Sequence, residues 1–470
     1  MAQRAAVVEY GQSWFFTSPW DPLVRRRGDA LGLRGLSDQY ADALAPDLSN
    51  GTVDARWITL LSWCLKASHD VWVKAEGDSG LGSRAAQQRR YAWLRPLELL
   101  WVTWTLRAGN PGGRQLRGQR AVRKWLASGE RGERFGMPPE QFHRYRQTGL
   151  YGAYRTLLRR VPGLTLGEHG PDGWTPSTVV NDLFDHVNRR LPKQARFRDE
   201  ILENGTQWGR WREREEFWWI KAGWGLDVQG LEELFPTEAG VSKPLPEEER
   251  ELLRGCLFPK DHRRLVVARV LKGVEPGSRH VDLCDLLAAD SVLRASDAGP
   301  LLATLPAFTR LADAGMEAMR ALWAAIGASD QAGGPEVADL ASAPEIQQPL
   351  SRLVESSRTW NAREDLATLR AGEASVVLAS AMAGARTPGD QLRALARHHE
   401  LHGGGLRWFR LRRGRVEPLL PQNGAAASPY RFRLWPLARL ARQCGVADTR
   451  MALEAALSRD EDAPDEGDEA

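Results

Sequence analysis

The sequence predicts a mainly α-helical protein of several domains with a small β element near its C-terminal end. Apolar residues recur at helical spacing through both halves of the chain, and one stretch near the end alternates like a pair of strands. The length of 470 residues also exceeds what one hydrophobic core can organise, because single cores stop growing at roughly 250–300 residues. We therefore expect a multi-domain helical protein.

Tryptophan is distributed unevenly and divides the chain into two regions. Fifteen of the 19 tryptophans lie within residues 1–224, and four lie in the remaining 246 residues. An acidic segment with three prolines, residues 232–250, predicts a linker. We therefore expect a Trp-rich helical region over residues 1–231 and a second helical region over residues 251–458. Residues 459–470 are acidic and have little apolar surface to bury, so this tail is predicted to be disordered.

Three segments of the N-terminal region are predicted from their periodicity. Trp57 and Leu60 begin an apolar series that predicts a helix of about 20 residues. A second helix over residues 84–107 is expected to kink or break at Pro96, because proline removes a backbone hydrogen bond. Residues 137–190 combine helices with a Gly- and Pro-rich stretch, which is the outline of a winged helix.

The C-terminal region contains one strong amphipathic helix and the predicted β element. Apolar residues between positions 308 and 326 mark the buried face of that helix. The β element is placed near residues 405–435. Alternation around Arg413 and Gly414 predicts a hairpin there, and residues 430–434 are expected to add a third strand.

The densest tryptophan patch, residues 208–224, has two interpretations. Its indoles are interleaved with Arg210, Arg212 and Arg214, a combination that also occurs in platforms that stack nucleic-acid bases. On a helical wheel, however, the indoles share one side and ion-paired side chains occupy the other. We therefore predict a buried amphipathic helix and keep a stacking surface as the alternative.

The histidines near position 400 match a zinc motif only in part. His398 and His402 have the i, i+4 spacing of two zinc ligands, but Glu400 is not adjacent to the first histidine, as zinc hydrolases require. Glycines follow at residues 403–405, and histidine followed by glycine is typical of a helix C-terminus. We expect a helix end with histidine in its last turn and glycine after it, and no metal site.

No catalytic motif stands out in the sequence. The chain lacks a Walker A sequence, a nucleophile elbow and a C-x-x-C pair. Four scattered cysteines indicate reduced thiols, and no signal peptide or apolar run long enough for a bilayer is evident. These features predict a cytoplasmic protein with no cofactor and no membrane contact. A metal-dependent nuclease that uses Asp199, Glu200 or Glu203 is the enzymatic alternative.

Arginine is concentrated in two blocks of the chain. Residues 84–160 hold 17 Lys and Arg against 4 Asp and Glu, and residues 386–450 hold 13 against 4. Guanidinium groups in rows suit phosphate oxygens, so both blocks are candidate nucleic-acid contacts, although such runs also occur as solvated helix faces. The candidate residues are Arg117, Arg120, Arg123 and Lys124 on one helix, and Arg410, Arg412, Arg431 and Arg433 on two strand faces.

Several stretches resemble uncharacterised helical proteins encoded in bacterial defence islands, beside restriction or anti-phage genes. They are Leu31-Gly32-Leu33 through Ser49, Ala55-Arg56-Trp57-Ile58-Thr59 through Trp63, Tyr91-Ala92-Trp93-Leu94 with residues 97–101, and Gly405-Leu406-Arg407-Trp408-Phe409 with Tyr430-Arg431-Phe432-Arg433-Leu434. The resemblance implies a defence role and assigns no site residue.

Together, the resemblance and the basic blocks lead to one functional hypothesis. The chain is expected to be a non-enzymatic, nucleic-acid-associated subunit of a multicomponent bacterial antiviral defence system. Its expected partners are nucleic acid, with DNA considered first, and other subunits of a defence operon. A protein–protein scaffold is a further alternative beside the nuclease, because basic faces also suit an acidic protein partner.

Overall fold

The computed structural model of the protein describes residues 29–76, 84–108, 122–123, 134–136, 150–164, 175–192, 196–197, 219–221, 234–235, 244–331, 333–369, 372–404, 407–419 and 430–457. Within these residues the protein is mainly α-helical, as the sequence predicts, and it contains two small antiparallel sheets. No helix among them combines the length and the apolar character needed to cross a bilayer.

In chain order the first helices are α1 (Arg34–Leu44), α2 (Ala55–Glu76), α3 (Arg84–Arg107), α4 (Leu150–Arg160), α5 (Thr178–Arg190), α6 (Glu247–Leu257), α7 (Arg263–Lys272), α8 (His280–Ala289) and α9 (Ser291–Ala295). They are followed by α10 (Gly299–Leu302), α11 (Leu305–Gly327), α12 (Val337–Ser342), α13 (Pro344–Asn361), α14 (Glu373–Gly384), α15 (Pro388–His402), α16 (Leu434–Gln443) and α17 (Arg450–Leu457). The strands are β1 (Arg134–Gly136), β2 (Trp219–Lys221), β3 (Phe409–Arg412) and β4 (Arg415–Pro418).

The chain folds into two compact units, and each unit draws on separate stretches of sequence. The first comprises Met1–Ala43, Gly277–Phe432 and Glu454–Ala470, and the second comprises Leu44–Pro276 and Arg433–Leu453. The domain boundaries expected around residues 232–250 stay a prediction, because most of that segment lies outside the described residues.

Helix α11 is the centre of the first unit and confirms the amphipathic helix expected between positions 308 and 326. Fourteen of its 23 residues are buried, so the helix is covered on most sides. It packs against α8 and α13, while α13 packs against α14, and α14 against α15. The Phe308 ring lies 4.9 Å from the Tyr40 ring and 5.9 Å from the Trp360 ring, which places an aromatic cluster at this centre.

The N-terminal end of the described chain belongs to the same core. Leu31, Leu33 and Leu36 are buried. A Cβ atom at Gly315 of α11 would lie 2.6 Å from Cδ1 of Leu31. The missing side chain therefore lets the N-terminal segment lie directly on α11.

Helix α2 is the centre of the second unit and packs against α3 and α5. Trp63, Trp101 and Trp104 are fully buried, and successive ring centroids lie 5.7 and 5.1 Å apart in edge-to-face geometry. The Phe184 ring of α5 stacks on Trp63 at 6.2 Å. The tryptophans of this part of the chain whose side chains the structure describes therefore form core.

The helix expected over residues 208–224 is wrong where the structure describes that segment. Residues Trp219–Lys221 form strand β2, which pairs with β1 so that Ile220 lies opposite Phe135. Aromatic and β-branched residues favour strands, and pairing with a distant partner overrides a helical spacing. Residues 208–218 and 222–224 lie outside the described residues.

The C-terminal hairpin is confirmed, but the third strand is wrong. Strands β3 and β4 pair around Arg413 and Gly414, as expected. Residues 430–433 instead lead through a turn into α16, which begins at Leu434, because Phe432 and Arg433 adopt left-handed φ values of 53° and 56°. Tyr430 and Phe432 are buried, so their alternation with arginine reflects burial of two rings in a turn.

Two further expectations concern the helices of the second unit. Helix α3 runs through Pro96, so the expected break is wrong and a kink there stays a prediction. Buried residues such as Leu97 and Leu100 hold the second half of the helix in the core. Two helices of the winged-helix outline are present as α4 and α5. The first helix of that outline, most of its Gly- and Pro-rich stretch and the acidic tail at 459–470 lie outside the described residues.

Candidate nucleic-acid interface

The β3–β4 hairpin carries the candidate interface, and its register fixes which arginines lie together. Arg412 pairs directly with Arg415, and Arg410 pairs with Glu417. Side chains on one face of a strand alternate with those on the other, so these four residues share the outward face. We call residues 407–419 the arginine hairpin.

The inward face anchors the arginine hairpin to the first unit. Phe409 and Val416 are fully buried, and β3 packs against α15. Near the tip, the Val337 amide donates to the Gly414 carbonyl at 2.9 Å, and the Val416 amide donates to the Pro335 carbonyl at 3.0 Å. These bonds hold the turn and β4, and the burial of Phe409 against the unit holds β3.

The arginines of the hairpin fall into two groups. Arg410 pairs with Glu417 at 2.6 Å, and Arg415 pairs with Glu336 at 2.8 Å. Arg407, Arg412 and Arg413 are exposed and have no acidic partner among the residues that the structure describes. Arg412 lies directly opposite Arg415, whose charge Glu336 already balances, so Arg412 is the member of this cross-strand pair that an anion would neutralise.

The turn of the hairpin has an arginine at a position whose left-handed backbone favours asparagine. Arg413 and Gly414 both have positive φ, at 50° and 79°, which is the pattern of a type I′ turn. Asn-Gly is the favoured pair in this turn, because asparagine tolerates the left-handed region. A residue with an ordinary Cβ costs roughly 1–2 kcal/mol there. A strained, exposed arginine at a loop tip is a candidate for a functional side chain.

The other pair of predicted strand arginines is not arranged as expected. Arg431 and Arg433 lie in the turn before α16 and are only half-exposed. No strand face joins them, because left-handed backbone at Phe432 and Arg433 rotates successive side chains apart. Their contact with nucleic acid stays a prediction, but the two side chains do not form the row on one strand face that motivated it.

The first basic block is represented by a single described candidate. Arg123 is exposed on a short helical stretch. Arg117, Arg120 and Lys124 lie outside the described residues, as do the carboxylates Asp199, Glu200 and Glu203 of the nuclease alternative.

The histidines near position 400 end a helix, as the sequence predicts. Helix α15 stops at His402 with Gly403 as its cap. His398 Nε2 donates to the Leu31 carbonyl at 2.8 Å, and His399 Nδ1 donates to the Ala30 carbonyl at 2.8 Å. Burial lowers the pKa of His398 to about 4 and also lowers that of His399. Within the described part of the chain, no group of three or more metal-ligating residues could hold an ion.

Sequence reasoning missed two buried ion pairs at the start of α2, in the second unit. Arg439 donates to Asp54 at 2.6 Å, and Asp54 also accepts the Arg56 amide at 2.9 Å, as an N-terminal cap does. Glu249 accepts from Arg56 and, at 2.6 Å, from the Thr59 hydroxyl. All four charged side chains are nearly inaccessible to solvent. These groups stabilise the packing of distant segments.

A buried carboxyl on α3 has a comparable structural role. Burial raises the pKa of Glu98, although Arg95 lies 3.4 Å away and opposes the shift. Its Oε1 accepts the Tyr151 amide at 2.8 Å, in the first turn of α4. A carboxyl at this position complements the positive end of the helix dipole.

An open cleft of 310 Å³ in the second unit is lined by Asp185, Asn188, Arg189 and Arg196. Arg196 donates to the carbonyls of Leu191 and Arg189, each at 2.7 Å, and so caps the end of α5. Arg189 pairs with a glutamate. Because its two cations already have partners and Asp185 adds negative charge, the cleft is a poorer anion site than the arginine hairpin.

Of the candidate surfaces compared above, the arginine hairpin is the one best suited to a polyanion. It brings together Arg410 and Arg412 as predicted and adds Arg413 and Arg415, which the turn signal could have supplied. No family model, no curated protein and no solved structure matches this chain.

Proposed function

We propose that this protein binds nucleic acid through the arginine hairpin. The observation that carries the proposal is the pair of exposed arginines at the tip, Arg412 and Arg413, which have no acidic partner among the described residues and lie beside Arg415. Contacts between guanidinium groups and phosphates supply most of the non-specific affinity of proteins for nucleic acid.

We further propose that the protein acts as a non-enzymatic subunit of a multicomponent bacterial antiviral defence system. This part rests on the resemblance of its sequence to helical proteins of defence islands. The nuclease alternative depends on carboxylates outside the described residues, and the scaffold alternative needs an acidic protein in place of phosphate. Neither has a described observation in its favour comparable to the unpaired arginines.

A salt titration tests the binding. Protein and a labelled DNA duplex are titrated at two salt concentrations, for wild type and for R412A/R413A. The control is R310A/R352A, which removes two exposed arginines of the same unit that pair with Asp285 and Glu317. We expect wild type and the control to bind with similar salt dependence and R412A/R413A to bind more weakly. An equal loss of affinity in R412A/R413A and in the control would refute an interface at the hairpin.

The defence role has its own test. The gene and its chromosomal neighbours are expressed together in a bacterial host, and phage plating is compared with wild type and with R412A/R413A. We expect protection that depends on Arg412 and Arg413, and co-purification of neighbouring gene products with both forms. Full protection by the variant would show that the hairpin does not serve defence.

A further inference from the structure

The arginine hairpin also indicates the form of nucleic acid that it takes. Resting on the proposed function, we infer that the hairpin binds the phosphate backbone of double-stranded nucleic acid without reading its sequence. Three features of the first unit support this inference: the face that the hairpin exposes, the side chains on that face, and the rigidity of its attachment.

The hairpin does not project from the first unit as a free β-ribbon. The major groove of B-DNA admits a two-stranded ribbon, but the ribbon must reach in between the phosphates of the two rims. Here one face is covered, because Phe409 and Val416 are fully buried, and the tip is tied down by the bond from the Val337 amide to Gly414. Only the outward face remains for a partner, so the hairpin meets the rim of a duplex, where the phosphates lie.

The outward face provides no means of stacking bases. Proteins that bind single strands combine a basic groove with exposed aromatic rings. Trp408 and Phe409 are buried, and no tryptophan, tyrosine or phenylalanine whose side chain the structure describes is exposed. Single strands therefore lose the stacking contribution at this site, whereas duplex phosphates need only the arginines.

The attachment fixes the backbone positions from which the arginines project. Arg412 and Arg415 sit on directly opposed positions of a hydrogen-bonded pair of strands, and Glu336 holds Arg415 in place. Glu417 does the same for Arg410. Fixed cations suit the regular phosphate spacing of a duplex better than a flexible strand. Because phosphate contacts position a protein without specifying sequence, unrelated duplexes should bind alike.

The test compares four probes with the full chain. They are two 20-base-pair DNA duplexes of unrelated sequence and one single strand from each, measured by fluorescence anisotropy at several salt concentrations. We expect the duplexes to bind within about threefold of each other and about tenfold more tightly than the single strands. For R412A/R413A on a duplex, the plot of log K against log salt should become less steep. Its negative slope should decrease in magnitude by about 1.8, at about 0.9 for each lost phosphate contact. The R310A/R352A control should keep the wild-type slope.

The outcomes separate this inference from the proposed function. If binding depends on salt but the single strands bind as tightly as the duplexes or more tightly, the inference is wrong and the proposed nucleic-acid binding stands. A difference of more than tenfold between the two duplexes overturns sequence independence. An absence of salt-dependent binding to all four probes overturns the proposed function and the inference with it.

Discussion

The Nε2 atom of His398 lies 2.8 Å from the carbonyl oxygen of Leu31, a residue 367 positions away. Next to it, His399 accepts the Trp408 amide at Nε2, so its Nδ1 must carry the hydrogen donated to Ala30. The sequence predicts the helix end that positions both rings. It could not predict their partners, because spacing along one helix contains no information on which distant backbone will cover it.

The burial of His398 makes the stability of the first unit sensitive to acid. Its folded pKa of about 4 lies below the ordinary value of 6.5, so below pH 6.5 the unfolded chain gains a proton that the folded chain does not. Stability should therefore fall as the pH decreases from 6.5 towards 4, by on the order of 2–3 kcal/mol at about 1.4 kcal/mol per pKa unit. His399, whose pKa is also lowered, adds to the loss.

Urea unfolding at pH 7 and pH 5 measures this dependence. The His398→Gln variant keeps an amide donor for the Leu31 carbonyl but cannot take up the proton. We expect it to lose less stability between the two pH values than wild type loses. An identical loss in both proteins would assign the acid sensitivity to other groups.

The buried pair of Asp54 and Arg439 should matter far more than an exposed pair of similar length. Asp54→Ala leaves the guanidinium buried without its carboxylate and also removes the cap of α2, so we expect a loss of about 3–5 kcal/mol in unfolding free energy. The control Asp285→Ala breaks an exposed pair with Arg310, also 2.6 Å long. It should cost at most about 1 kcal/mol by urea titration. Similar losses in both would mean that burial does not decide the effect.

Elements with strong local signals were predictable, and elements defined by remote pairing were not. The series behind α2 and α11 repeats over several turns, so any fold would use it as a helix. Strand β2 is three residues long and exists because β1 lies opposite it, which no helical wheel can show. At Phe432, the deciding feature is a left-handed backbone angle, and phenylalanine does not signal such an angle in advance.

The turn of the arginine hairpin predicts opposite effects on stability and binding. Arg413→Asn places the favoured residue of a type I′ turn at φ 50°, so the hairpin should gain about 0.5–1 kcal/mol. The same change removes a guanidinium from the tip, so binding to a duplex should weaken. Thermal unfolding and anisotropy on one preparation measure both effects.

Gly414→Ala is the matched control for that turn. Nothing lies within 4 Å of the position that its Cβ would occupy, so its effect comes from the backbone angle of 79° alone. We expect a loss of roughly 1–2 kcal/mol, with Arg412 and Arg413 both retained. If Arg413→Asn destabilises the protein as Gly414→Ala does, the turn does not carry the strain inferred for it.

In the molecule as a whole, each unit is completed by a segment from elsewhere in the chain. In the first unit Leu31 packs on α11, which lies far along the chain. In the second unit the Gln443 side chain accepts a hydrogen bond from the Ala55 amide at 2.8 Å. Composition identified the Trp-rich region and left open whether its indoles form core or a stacking surface. Composition could not identify which distant segments pack together, since a leucine-rich segment packs equally well on any apolar helix.

A double-mutant cycle tests the return of the N-terminal segment. Gly315→Ala forces a methyl group to within 2.6 Å of Leu31, so we expect a loss of about 1–3 kcal/mol from overpacking. Leu31→Ala should cost about 2–5 kcal/mol by leaving a cavity. Together the two changes should cost less than their sum by about 0.5–3 kcal/mol, because the added methyl fills part of that cavity. Strict additivity in urea unfolding would argue against this contact.

The discontinuity of the first unit has a consequence during synthesis. Its opening segment, up to Ala43, leaves the ribosome long before the histidines of α15 that receive its backbone. At about 5–20 residues per second, roughly 20–70 seconds separate the two events. Until α11 has been synthesised, Leu31 lacks the helix on which it packs, and until α15 has been synthesised its carbonyl lacks the His398 ring. Nascent chains stalled before α11 should therefore associate with chaperones through this stretch and release them once translation passes residue 402.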